Sequence, residues 1–201
     1  MKIKHNTRLV VLIGALIGIT ALSMLIIGFG QHVNASTLET QYPSFTSISM
    51  NLFYEGVDGE SIIAGRENSI TVLGYSHSIS NPYDRLTGDL TGKQHSPLRI
   101  MKLIDKSTPK LYEKCVKGNI APSVILRFYF EPTGLNFYTI ELINVKITSV
   151  QGYGTISVNE IPRETVSFTY TTIKWTYTEY AADGTAKGNI EAQDDWIDAP
   201  N

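Results

Sequence analysis

The sequence predicts a mainly β protein: a small antiparallel β-barrel of two sheets, flanked by one α-helix. Three observations carry that expectation. From Ser44 onward, short runs rich in Val, Ile, Thr, Tyr and Phe are broken by Gly, Pro, Asn and Asp. Two of these runs are long, and each changes its alternation phase partway along. One stretch, residues 105–118, carries the start and stop signals of a helix.

Taken in order, the first strand is expected over 46–54, closed by the turn Glu55-Gly56-Val57-Asp58-Gly59. The second covers 69–77 and the third 97–104. Between them lies SNPYDRLTGDLTGKQHS, from Ser80 to Ser96, polar and Gly-rich with few core candidates. A connection of that length in a compact domain is usually functional or disordered. The helix follows: Asp105 or Ser107 can cap it, Pro109 suits its first turn and Gly118 its end. Lys114 and Lys117 complement the dipole at its C-terminus. Leu111, Tyr112, Cys115 and Val116 form its apolar face, with Cys115 read as a small hydrophobe. Strands are then expected over 123–131, 136–150 and 164–180, with a weaker one near 187–192. Pro132-Thr133-Gly134 and Asp183-Gly184 mark turns between them.

The two long strands carry the barrel argument. In 136–150 the apolar set starts at Tyr138, Ile140 and Leu142, then shifts to Ile143, Val145 and Ile147. In 164–180 it starts at Val166, Phe168 and Tyr170, then shifts to Ile173, Trp175 and Tyr177. A shift of one residue moves the apolar set to the other face. A bulge or bend at Leu142-Ile143 and at Thr171-Thr172 would let one strand serve two walls of a core, as a barrel corner requires. The alternative is a strand buried on both faces at its middle. If the Trp175 ring is in the core, its truncation to Ala should cost about 3–5 kcal/mol.

The N-terminus reads differently. Lys2, Lys4 and Arg8 precede an uncharged run from Leu9 to Gly30, and Val33 and Ala35 then mark a small-residue site. This order describes a secretory signal peptide over 1–35. The run 9–30 is also long enough to cross a bilayer, so an N-terminal membrane anchor is the alternative. A misassigned start, with Met50 as the true one, is a third reading. The expected organisation is therefore 1–35 leader or anchor, 36–44 linker, 45–192 barrel domain and 193–201 tail.

Across 201 residues, 17 Lys and Arg face 19 Asp and Glu, for a net charge of −2. That balance argues against a nucleic-acid partner. A single cysteine excludes an intrachain disulfide framework and a multi-Cys zinc site. His77 and His95, the histidines of the β region, lack ligand spacing, so a metal site would need carboxylates brought in by the fold. There is no GxSxG elbow. The segment Gly88-Asp89-Leu90-Thr91-Gly92-Lys93 departs from the phosphate-loop pattern, because Gln94 follows the lysine. Tyr170, Trp175, Tyr177 and Tyr180 are read as strand packing rather than a stacking platform. No catalytic residue, metal or cofactor is expected.

The order of motifs goes further. Tyr54-Glu55-Gly56-Val57-Asp58-Gly59-Glu60-Ser61 follows the first strand, and Ile70 to His77 reads ITVLGYSH. Then come TGKQHSPL over Thr91 to Leu98, IDKSTPKLY over Ile104 to Tyr112, and YTIEL over Tyr138 to Leu142. ETVSFTY over Glu164 to Tyr170 and IKWTY over Ile173 to Tyr177 complete the series, before Asp183-Gly184 and Lys187-Gly188-Asn189. This ordered set, from Ser47 to Asn189, resembles the haemolysin-coregulated protein (Hcp) family, the tube protein of bacterial type VI secretion systems.

The resemblance implies a non-enzymatic barrel that forms six-membered rings. The rings would stack into a hollow tube, driven by a contractile sheath, with a spike protein as partner and effector proteins in the lumen. It also implies that the loop from Asn81 to Ser96 is an assembly surface. Tyr83, Arg85, Leu86, Leu90, Lys93 and His95 are its candidate contact residues. The departure is residues 1–35, since family members begin near Thr46–Met50. A leader or anchor would export the domain across the inner membrane or hold it there. With a downstream start it would be cytoplasmic before secretion.

Overall fold

The computed structural model describes residues 43–154 and 161–196. Among them the chain forms eleven strands and one helix. These are β1 (Ser47–Tyr54), β2 (Ile70–Val72), β3 (Gly74–Ser76), β4 (Ile79–Ser80), β5 (Gln94–His95) and β6 (Leu98–Leu103). Helix α1 (Thr108–Lys117) is followed by β7 (Ala121–Glu131), β8 (Leu135–Tyr153), β9 (Arg163–Thr169), β10 (Thr172–Tyr180) and β11 (Ala186–Asp195). The expected leader or anchor 1–35, with its candidate span 9–30, lies outside the described residues. So do most of the linker and the end of the tail. Among the described residues no helix is long and apolar enough to cross a membrane.

Neighbouring strands run in the order β2-β1-β7-β8-β9-β6-β3, every pair antiparallel. The two ends of that path are consecutive in the chain. The expected strand 69–77 splits at Leu73, its first half pairing with β1 and its second with β6. One short run of chain thereby closes the wall into a barrel.

The longest strand makes the opposite corner. Residues 138–143 of β8 pair with β10, and residues 146–153 pair with β9. Between them Asn144 adopts φ 53°, a left-handed conformation that Asn tolerates better than most residues. The twist there turns both halves inward, so Ile140 and Leu142 before it and Val145 and Ile147 after it are all buried. The corner thus lies one residue beyond the expected Leu142-Ile143. In the partner run the break falls at Tyr170-Thr171, where Thr171 N–H donates to Ile143 O at 2.9 Å and Asn144 Nδ2 donates to Thr171 Oγ1 at 3.1 Å. Val166, Phe168, Tyr170 and Ile173 are buried around this break.

Three expectations need correction. Trp175 is partly buried, packed against the core rather than enclosed in it, on a strand that lies between β8 and β11. The cost of full burial does not apply to it. On α1, Leu111 is fully buried, but Tyr112 is 41% and Val116 86% exposed, so the helix presents one edge of its apolar face to the core. Strand β11 runs to Asp195, past the expected boundary at 192, and Trp196 N–H donates to Thr171 O at 2.8 Å.

Helix α1 starts and stops largely as its signals predict. Asp105 Oδ1 accepts the Ser107 N–H at 2.9 Å, whereas Ser107 itself makes no side-chain cap. At the other end Gly118 takes φ 63°, and Asn119 N–H reaches back to Lys114 O.

The helix is bound to the barrel through buried charge. In β6 the alternation Leu98, Ile100, Lys102 points all three residues inward. Opposite Lys102 in register is Glu164 of β9, also on the core side. Lys102 Nζ lies 2.6 Å from Glu164 Oε1 and 2.8 Å from Asp105 Oδ1, and neither Lys102 nor Glu164 exposes any side-chain surface. Thr108, the first residue of α1, accepts from Lys102 Nζ at 3.2 Å and donates to Glu164 Oε1 at 2.8 Å. Removing one partner of such a pair strands the other charge. Lys102→Met should therefore destabilise the fold by about 3–5 kcal/mol. The double variant with Glu164→Leu should recover most of that loss, read from urea unfolding of both proteins.

Candidate functional site

The stretch expected to be a loop over 80–96 is an arm. Its limbs are joined by the β4–β5 pairing, Ile79 opposite His95 and Ser80 opposite Gln94, and by a lone bridge between Tyr83 and Leu90. Nearer the body, Ser96 N–H donates to Ser78 O at 2.9 Å. At the tip, Asp84 Oδ1 accepts the Leu86 N–H at 2.7 Å, and Gly88 takes φ 79°. The turn is held by its own polar groups, so its apolar side chains are left for other work.

The six candidate residues divide between tip and root. Tyr83, Leu86 and Leu90 are 63%, 97% and 61% exposed, and Arg85 is exposed beside them. Isolated exposed apolar residues are ordinary on a protein surface, but here three fall within one eight-residue turn, two of them on the bridged pair Tyr83 and Leu90. Lys93 and His95 instead turn back to the body. Lys93 Nζ donates to Asp194 Oδ1 at 2.7 Å, and His95 Nε2 to Asp194 Oδ2 at 2.9 Å. The His95 side chain is fully buried.

Around His95 the structure collects residues that are remote in sequence. Tyr170 OH lies 3.1 Å from His95 Nδ1 and 2.5 Å from His77 Nε2. The Trp196 ring packs against His95 and Tyr170, with centroids 5.6 and 5.0 Å away. His77, Tyr170, Asp194 and Trp196 were not readable as a group. They come from the entry limb of the arm, the β9–β10 corner and the end of β11, and no spacing links them. The local signal that exists is the Tyr170-Thr171 phase break, which marks a corner where remote segments can meet.

The electrostatics follow from this packing. The hydrogen bond from Lys93 holds the Asp194 carboxyl below the usual carboxylate range; burial opposes this and His95 adds to it. Burial, with Asp194 nearby, pushes the Tyr170 phenol up, so it remains a neutral hydroxyl. Burial, and secondarily the neighbouring His95, lowers the His77 imidazole. With both rings neutral, one order of donors satisfies every contact. The Asp194 carboxylate requires His95 to donate from Nε2. A neutral His95 must accept at Nδ1 from Tyr170, and Tyr170 must accept from His77 Nε2–H. What this arrangement does chemically is hold two limbs of chain to one hydroxyl.

Other concave regions are shallow. One depression of about 520 Å³ lies on the outer face of β7, β8 and β10, lined by polar and aromatic residues including Arg127, Tyr129, Glu141 and Tyr180. Among the described residues no three His, Cys, Asp or Glu side chains are grouped to hold a metal ion.

Comparison with known proteins places this architecture. A family model described as "Type VI secretion system effector, Hcp" matches residues 51–177. The "Major exported protein" of Pseudomonas aeruginosa is 28% identical over 160 residues, covering 74% of this chain and 87% of that protein. A solved type six secretion system protein is similar with a TM-score of 0.67 at 26% identity, covering 72% of this chain and 92% of the other. The Hcp1 protein from the E. coli EAEC 042 pathovar gives a TM-score of 0.61 at 29% identity, over 75% of this chain and 98% of that one.

The polar root makes a stability prediction. Partly exposed ion pairs contribute at most about 1 kcal/mol, so Lys93→Met should speed amide exchange at Ser96 and Thr91 by about two- to fivefold at neutral pH. Exchange in β7 and β8 should be unchanged, as read by mass spectrometry of the same samples.

Proposed function

The chain belongs to the Hcp family of type VI secretion proteins, and we propose on that ground that it is a ring-forming subunit of a type VI secretion tube. The observation that carries this reading is the family match over residues 51–177, the closed barrel and its arm included. Membership supports a structural role rather than a catalytic one. In this reading six copies form a ring, rings stack, sheath and spike proteins engage the stack, and effector proteins occupy its lumen.

The arm is the proposed assembly surface, with labour divided along it. Tyr83, Arg85, Leu86 and Leu90 at the tip contact a neighbouring subunit or ring. Lys93 and His95 aim the tip by tying its return limb to Asp194. Burying three exposed apolar side chains is favourable by about 1.5–3 kcal/mol for each one fully covered, enough for a few such contacts to govern association. Sedimentation velocity of the purified chain should show one discrete oligomer. Leu86→Asp with Leu90→Asp should shift it toward smaller species while the folded spectrum is retained. A strictly monomeric wild-type chain at high concentration would count against the tube reading.

A second reading is favoured by the basic, apolar and small-residue order within 1–35. It makes the protein an exported or membrane-anchored Hcp-like module, serving as an adaptor outside the tube. The relative named "Major exported protein" supports export in either reading. N-terminal sequencing of protein from its native cell separates them: a start after Ala35 or an intact leader favours the second, and a start near Met50 favours the first.

A further inference from the structure

We propose that His77 and His95 form an acid-operated latch, in which a second proton on the pair releases the arm from the β9–β10 corner. His77 stands just before β4, on the limb entering the arm, and His95 ends β5, on the limb leaving it. Both hold the same atom, Tyr170 Oη, at 2.5 and 3.1 Å. The limbs are therefore clasped through one hydroxyl, which has one proton to give.

Counting protons shows where the latch opens. With both rings neutral, the chain of donors runs from His77 Nε2–H to Tyr170, from Tyr170 to His95 Nδ1, and from His95 Nε2–H to Asp194. A first proton is accommodated on either ring: His77 can take it at Nδ1 with every contact intact, or His95 can take it at Nδ1 while the Tyr170 hydroxyl turns to donate to His77 Nε2. A second proton leaves both rings charged. Both imidazolium rings then aim N–H groups at Tyr170 Oη, and the hydroxyl proton loses its acceptor. The rings also repel, with centroids 6.4 Å apart.

The other charges facing the pair do not cancel this. Asp194, from β11, is the one described carboxylate in contact, and it is already engaged by Lys93 from the arm. Tyr170, from the corner, stays uncharged, and Trp196 contributes only its ring. Asp195, the neighbour on β11, is turned to Thr172 Oγ1 at 2.7 Å. Two protonated histidines sharing the one Asp194 carboxylate crowd like charge onto a half-buried site, where separating the limbs and hydrating the rings relieves it.

The sign of the pH dependence follows. His77 is lowered in the closed state, so the released arm binds protons more readily than the latched one. Latching is complete above the ordinary histidine value of about 6.5 and weakens as pH falls through the window below it, by up to about tenfold per pH unit for each proton taken up. Disassembly of a ring or stack by acid would be a further consequence. It rests on the assembly reading above, whereas the latch does not.

Hydrogen exchange of the full chain tests the latch, with rates corrected for the intrinsic pH dependence of exchange. Between about pH 7.5 and about pH 5, wild-type protection across residues 79–96 should fall by about tenfold or more while β7 and β8 keep theirs. His77→Gln places beside Tyr170 an amide that can donate or accept and does not titrate, so the hydroxyl keeps a partner when His95 is protonated and the arm should stay protected at both values. Tyr170→Phe removes the shared hydroxyl and should leave the arm weakly protected at both. Unchanged wild-type protection, an equal fall in His77→Gln, or a simultaneous loss in β7 and β8 would each overturn the proposal. None of these outcomes bears on the oligomer measured at neutral pH, so the two readings fail separately.

Discussion

A lysine with no exposed surface organises one side of this barrel. Lys102 occupies a core position on β6, directly across from Glu164 on β9. Slipping the two strands by one residue would turn one charge outward and leave the other buried without a partner. That error costs far more than a misplaced aliphatic contact. The same ammonium group binds Asp105, whose carboxylate also starts the helix, and Thr108, the helix's first residue. Strand register and helix position are thus set by one buried charge. A buried ion pair adds little net stability over a hydrophobic replacement, so its weight falls on arrangement.

The second constraint is closure. A sheet bends into a barrel only where strands turn corners, and here two runs do so: the split at Leu73 and the left-handed Asn144. At Asn144 the corner is matched by the break at Tyr170-Thr171, with hydrogen bonds between the two. That matched corner is also where β11 ends and where the arm attaches. The arm's exposed tip and the barrel's interior geometry are consequently parts of one construction.

Much of this was legible in the sequence, for identifiable reasons. The phase changes at Leu142-Ile143 and Thr171-Thr172 located both sides of the Asn144 corner to within a residue, because period-two alternation is a direct record of which face is buried, whereas the split at Leu73 lay inside an expected continuous strand. The caps of α1 were readable from Asp105, Pro109 and Gly118. Val116 was misjudged because helical spacing shows which residues share a face but not how wide a strip the neighbour covers. Trp175 packs against the core as its alternation implies, but alternation does not say how much of a ring its neighbours cover. The tip residues Tyr83, Leu86 and Leu90 were visible as apolar side chains in a polar stretch. The root was not, since His77, Tyr170, Asp194 and Trp196 are joined only by the fold.

The position of Asp194 and Trp196 along the chain has a consequence for synthesis. Every other described strand precedes β11, so the barrel wall can close before those two residues have been added. The arm emerges early, between β3 and β6, yet the carboxylate and indole that seat it arrive only with the final described strand. A nascent or truncated chain can therefore complete its core with the arm held through Tyr170 alone, before its Asp194 and Trp196 seat exists. Complete seating of the arm reports that the chain has been made through its last described strand.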